Sequence, residues 1–331
     1  MTPRPLLCAW PLALALVACA HAPAPVSSAP LAAPVPPPPA PEKVAAAPAE
    51  PPAPVGPCGE EIHGARPLLR PGGLLVFGEL PGSAEIPAFI GRMACFAVQD
   101  GVPVLLGVEL PRDAQPEVDR YLASGGAKED VVQLVAHKFW SRMWQDGRSS
   151  QAVVALLERA RVLKAEGKPI SVVAYDVKNL DGNARQEAMA EHLLRARAQA
   201  GTGTLTVVLS GNVQARTVRG AEWDKELVPL GARLLAAEPG MKALDAQYSG
   251  GMAWTCQAAG GTHIDCRPRL VGAPQRSRFL GTRLPSSKTA KGYERHKLYI
   301  RVDSEASVEG YHGLFYVGRL SPSPPAAEAQ P

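Results

Sequence analysis

The sequence predicts an α/β domain: a layered, mainly parallel sheet flanked by helices, with extra strands toward the C-terminal end. Two observations carry this. Four near-continuous apolar runs, LLVFGE (74–79), VPVLLGVE (102–109), ISVVAYD (170–176) and TLTVVLS (204–210), read as strands covered on both faces. Segments of helical periodicity fall between them, and that alternation is the pattern of βαβ units.

The first part of the chain does not read as folded domain. Arg4 precedes an apolar stretch from Ala9 to Ala18, the pattern of an export signal and too short to span a bilayer. It ends Leu16-Val17-Ala18-Cys19, which resembles a bacterial lipobox, so Cys19 is expected to be lipidated, and Ala20 points to the outer membrane. From His21 to Pro57 the chain holds 14 of its 34 prolines, interleaved with alanine. Such a stretch cannot bury a core and reads as an extended tether with a reach on the order of 100 Å. The expected organisation is signal 1–18, lipid-anchored tether 19–57, one α/β domain 58–322 and a disordered tail 323–331. The expected location is the bacterial cell envelope, with the membrane as a partner through the lipid.

Within the domain, Ile86, Phe89, Ile90, Met93 and Ala97 recur at helical spacing after Ser83, read as the N-cap. Strand, helix and strand then form a right-handed crossover. Helices are expected near 114–124, 129–143, 150–166 and 184–199. Beyond residue 232 the pieces RLLAA, MAWTC, KLYIRV and GLFYVG read as further strands extending the same sheet, their direction left open.

Charge is balanced, 35 basic against 31 acidic residues, with no basic stripe interleaved by aromatics, which argues against nucleic acid as a partner. Setting aside Cys8 and Cys19, four cysteines remain, an even number in an exported domain. Three pairings are open; Cys58 with Cys95 and Cys256 with Cys266 are favoured. The spacing fits no zinc finger.

The chemistry gathers where the strands stop: Glu79, Glu109, Asp176 and Asn212 follow the four runs in turn. In open α/β sheets the ligand crevice lies beyond the carboxyl ends of the strands, so these four are expected to converge on one site as catalytic residues. Oxygen donors of this kind suit a divalent cation, with Glu79 and Glu109 as ligands, or a general base beside a polar orienting group. The competing reading for Glu79 and Glu109 is a buried pair with an arginine, for which Arg92, Arg112, Arg148 and Arg185 are available. Glu85 is a ligand-binding candidate or simply a first-turn acid of a helix. Asp176 is a site residue or a turn former.

Taken together, Gly78-Glu79 with Glu85, GVELP ending the second strand, DGRSS (146–150), Tyr175-Asp176, Arg185 with AMAEHL, and LSGNVQAR (209–216) resemble the superfamily of erythromycin esterase, ChaN haem-uptake lipoproteins and Tiki/TraB proteases. The resemblance spans most of residues 70–322. It implies an α/β fold with a pocket at the strand ends and, in active branches, a divalent metal or a Glu–His pair that activates water. Related members read GE-x-H-G and GN-x-H-A; this chain has Pro81 and Gln214 where those histidines stand. Proline offers no proton chemistry, and glutamine hydrogen-bonds but is no base. Of the remaining histidines, His312 in GYHGLFYV is the one expected nearest the pocket. Arg185, Gln214 and His312 join Glu85 as ligand-binding candidates.

The expected function is therefore an envelope-anchored lipoprotein that binds a small-molecule or peptide ligand, or a metal, at the strand-end carboxylates, as a degenerate hydrolase. The alternatives are an active metal-dependent peptidase or esterase using Glu79, Glu109 and Asp176, and a haem-binding uptake protein. For haem, no compact ligand motif is visible, and Tyr175, Tyr293 and Tyr311 are the side chains to inspect.

Overall fold

The computed structural model describes residues 56–258, 264–273 and 298–328. Cys19, the signal, most of the tether and Tyr293 lie outside them.

A seven-stranded sheet runs in the order β3-β2-β4-β1-β5-β9-β8. Its strands are β1 (Leu74–Glu79), β2 (Val104–Pro111), β3 (Ile170–Asp176), β4 (Leu205–Gly211), β5 (Lys242–Gln247), β8 (Tyr299–Val302) and β9 (Gly313–Tyr316). All neighbours pair in parallel except β8, which runs antiparallel to β9. The four expected apolar runs are the four strands at the sheet's middle and one edge, and β1 is buried along its whole length.

Helices cover both faces. On one, α1 (Glu85–Gln99), α2 (Gln115–Leu122), α3 (Lys128–Val135) and α4 (Gln151–Ala165) pack with Leu75, Phe77, Leu106 and Val108. On the other, α5 (Gly182–Ala200) and α7 (Leu230–Ala237) pack with Leu74, Val76, Leu105 and Tyr175. Alternate residues of one strand thus feed opposite cores, which is why the runs are apolar throughout rather than every second residue. After β1 the chain leaves toward α1 on one face, whereas after β4, beside it, it leaves through the short α6 (Asn212–Ala215) toward α7 on the other. Oppositely directed departures from adjacent strands open a crevice beyond their carboxyl ends.

Several expectations are corrected. RLLAA belongs to α7, because Leu230 and Leu234 recur at helical spacing and are both buried. MAWTC does not extend the main sheet: β6 (Gly251–Ala258) pairs antiparallel with β7 (Ile264–Val271) in a separate two-stranded sheet. The strand beside β1 is instead KALDAQ, β5. The helix expected over 129–143 ends at Val135. Ser83 does not cap α1: Ala84 precedes its first turn, since backbone at 82–84 is recruited by the C-terminal segment, with Ala84 N–H donating to Ser321 C=O (3.0 Å) and Ser323 N–H to Gly82 C=O (2.8 Å). The same contact makes residues 323–328 part of the domain rather than a disordered tail. Ala326 N–H donates to Ser149 C=O (2.9 Å), Gln145 Nε2 to Ala327 C=O (2.7 Å), and both alanines pack on the core.

Both favoured disulfides are present, Cys58–Cys95 tying the domain's start to α1 and Cys256–Cys266 joining β6 to β7.

Candidate functional site

The strand ends bring Glu79, Glu109, Asp176 and Gly211-Asn212 to one edge of the sheet, as the sequence predicts, and Glu79 sits opposite Gly211 in the β1–β4 register. The three acids do not form a common ligand set. They divide into a paired group and a single unpaired carboxyl.

Glu109 is fully paired. Its Oε1 accepts from Arg148 Nη1 (2.8 Å) and Arg185 Nη2 (2.9 Å), and its Oε2 accepts from the Gly211 N–H (3.0 Å). Asp176 accepts from Arg185 Nε (2.8 Å) and from its neighbour's N–H, Val177 (2.7 Å), with Arg148 at 3.7 Å. Asp146 holds Arg148 through two guanidinium nitrogens and also pairs with Arg142 at 2.5 Å. Three guanidiniums thus balance three carboxylates beneath the strand ends. Burial pushes the Glu109 carboxyl upward, but Arg148, Arg185 and the Gly211 N–H outweigh it and hold Glu109 below the usual carboxylate range. Burial likewise opposes charge on Arg148, but Glu109 and Asp146 prevail and raise it above the ordinary arginine value.

Glu79 is different. It is 4% exposed and makes no hydrogen bond or ion pair with another described side chain. Burial is the main cause that raises its pKa from 4.5 to about 8, Glu109 adds to the rise, and Arg148 only partly offsets it. At neutral pH Glu79 is largely a carboxylic acid, able to donate as well as accept a hydrogen bond. The competing arginine reading therefore holds for Glu109 and fails for Glu79.

Glu79 faces a cavity of about 210 Å³ between the ends of β1, β4 and β5, whose other polar walls include Asn212, Arg216, Asp245, Glu309 and Tyr311. Tyr311 is fixed there by donating its hydroxyl proton to the Asn212 carbonyl. Gly78 makes this possible: a Cβ at that position would lie 3.1 Å from the Tyr311 hydroxyl. Asp245, in the register position beside Gly78, accepts from Gln247 Nε2 at 3.0 Å.

The ligand-binding candidates separate. Arg185 serves the ion network rather than the cavity. Gln214 folds back on the strand end, where its Oε1 would lie 2.5 Å from a Cβ on Gly211, near Glu109. Glu85 takes its first-turn role in α1 and accepts the Ser321 N–H (2.9 Å), outside the cavity wall. His312 accepts the Ala243 N–H on Nδ1 (3.0 Å), and burial holds it below the ordinary imidazole value. It packs against β5 and does not line the cavity. Tyr175 donates to the Leu209 carbonyl (2.8 Å) inside the core.

Arg216, Asp245 and Glu309 were not singled out from the sequence. Asp245 lies within a strand whose mixed composition hides it, and the other two lie in segments that only the fold brings together. Two of the network's three arginines were legible, Arg148 in DGRSS and Arg185 before AMAEHL; Arg142 was not.

A divalent cation fits this donor set poorly. Every Glu109 oxygen is already committed to a guanidinium or a backbone N–H, and a second positive charge would face Arg148 and Arg185. Among the described residues no group of three or more His, Cys, Asp or Glu side chains is placed to hold a metal ion.

Solved structures share this fold. A histidine-to-asparagine mutant of the erythromycin esterase EreC, in its open conformation, aligns with a TM-score of 0.51 at 12% identity, over 79% of this chain and 94% of that one. A Bacillus cereus protein aligns with a TM-score of 0.50 at 10% identity, over 78% and 91%. No family model and no curated protein matches the sequence. The fold inferred by resemblance is thus the fold the chain adopts.

Proposed function

We propose that the domain binds a small polar molecule in the strand-end cavity, held by Glu79 in its protonated form, and that Cys19 and the proline-rich tether anchor it to the outer membrane. The observation that carries the reading is Glu79 itself. A buried carboxyl without a partner is costly, and such groups cluster where a ligand completes the site. The ion network beneath is a scaffold: it fixes the strand ends, and its Glu109 charge helps keep Glu79 neutral. The cavity is smaller than the ~300–1,000 Å³ typical of sites for drug-sized ligands, which favours a small molecule over a macrocycle such as haem.

The test is calorimetric titration of the full chain and its Glu79→Gln variant with a panel of small sugars, polyols, amino acids and carboxylic acids. Saturable binding that weakens in the variant supports the reading. A panel without any saturable binder overturns it.

A second reading is supported by the same carboxyl. With a pKa near neutrality, Glu79 is poised as a general base, and the fold is shared with an erythromycin esterase. Where the resemblance expects imidazoles, Pro81 and Gln214 supply none, so Glu79 would have to act alone. Turnover of simple esters or lactones that rises with pH through about 8 and is lost in Glu79→Gln supports this reading; no turnover by the wild-type protein rejects it.

A further inference from the structure

The walls of the strand-end cavity carry opposite charges that do not pair with each other. Arg216 and Glu309 lie on segments tied side by side: the Glu309 carbonyl accepts the Thr217 N–H (3.2 Å), and the Gly310 carbonyl accepts the Thr217 hydroxyl (2.5 Å). Both side chains are half-buried and line the cavity, yet neither makes an ion pair with a described residue. A guanidinium and a carboxylate so placed ordinarily close on one another, since charge-assisted pairs are the stronger hydrogen bonds. Here they stand around the same space: Arg216 turns to Tyr311, which it hydrogen-bonds, while the Glu309 charge opposes ionisation of that hydroxyl.

Size narrows what the space takes. An apolar cavity of ~150 Å³ in another protein accepts benzene, so about 210 Å³ suits a molecule a few heavy atoms larger. Glu79 lines the cavity, almost wholly buried and unpartnered among the described residues. It gives the site one neutral donor besides its two signs of charge.

Resting on the ligand-binding reading above, we infer that the cavity takes a small zwitterion, an amino acid with a free carboxylate and a free ammonium. The carboxylate meets Arg216 and the Asn212 amide, the ammonium meets Glu309, and Glu79 hydrogen-bonds the carboxylate. A zwitterion satisfies both charges at once without changing the net charge of the site. A dicarboxylate would oppose Glu309 and Asp245, and a diamine would oppose Arg216.

The test is calorimetry of the full chain at neutral pH with the common L-amino acids, each beside its carboxamide and its N-acetyl derivative. The expected result is binding of at least one free amino acid, weakened at least ~10-fold in both derivatives, as loss of a charge-assisted contact implies. Arg216→Gln should abolish discrimination against the carboxamide, and Glu309→Gln discrimination against the N-acetyl form, with thermal melting confirming that each variant folds. The derivatives require no mutation, so the comparison survives if a variant does not fold. Equal binding of an amino acid and its blocked forms overturns the inference. Glu79-dependent binding of neutral polyols or sugars without any amino acid overturns it while leaving the ligand-binding reading standing. No binding in either panel overturns both.

Discussion

Substituting Glu79 by Gln should make the protein more stable at alkaline pH, a counterintuitive outcome for removal of a candidate site residue. In the unfolded chain Glu79 ionises near 4.5; in the folded protein it does so near 8. Between these values the folded state keeps a proton that the unfolded state has released, so stability falls as pH rises through the interval and levels off above about 8. At ~1.4 kcal/mol per pH unit the interval corresponds to a loss on the order of 5 kcal/mol, an appreciable part of the ~5–15 kcal/mol that holds a domain together. Gln has the shape of the protonated acid and does not titrate. Urea unfolding of wild type and Glu79→Gln from pH 5 to 9 should therefore give curves that agree within about 1 kcal/mol at pH 5 and diverge by several kcal/mol at pH 9, the variant being the more stable. A difference that stays flat across this range, or a variant less stable at pH 9, would refute the assignment of Glu79 as a buried neutral acid.

Other outcomes follow from the same structure. Glu109→Gln should cost about 3–5 kcal/mol in urea unfolding, because it leaves Arg148 and Arg185 short of a buried partner, and it should lower the Glu79 pKa by removing a neighbouring negative charge. Glu109 and Asp146 are held below their ordinary values, so their contribution is complete above about pH 4.5 and lost as the solution is acidified further; acid unfolding of Glu79→Gln should retain this limb. Replacing Cys58 and Cys95 by Ala opens a 37-residue loop and should cost about 4 kcal/mol in the chain-entropy account, against about 3 kcal/mol for the 10-residue Cys256–Cys266 closure. Gly82→Ala should be among the most damaging single changes by thermal melting: Gly82 has φ +92°, and a Cβ there would lie 2.0 Å from the Trp254 carbonyl oxygen.

The parallel sheet was legible because its first four strands are short, near-continuous apolar runs that alternate with longer segments of helical period. The C-terminal third was less so. KALDAQ is too polar to announce a strand, and MAWTC has a strand's composition but says nothing of which sheet it joins. Pairing partners distant in sequence decide both. At the site, the residue ending each strand could be read from position alone, since topology carries strand ends to one edge. Their fates could not. Glu79 and Glu109 end successive apolar runs in the same way, yet Glu109 pairs with two arginines and Glu79 with none among the described residues, and that difference depends on where the 146–148 turn and α5 place Arg148 and Arg185.

The most direct measurement is a pH titration of the side-chain carboxyl resonances of the ¹³C-labelled protein, with Glu79 assigned through the Glu79→Gln variant and repeated with a ligand found by calorimetry. The expected Glu79 midpoint is near 8 and moves when the cavity is filled. A midpoint near 4.5, unchanged by any ligand that binds, would contradict that expectation.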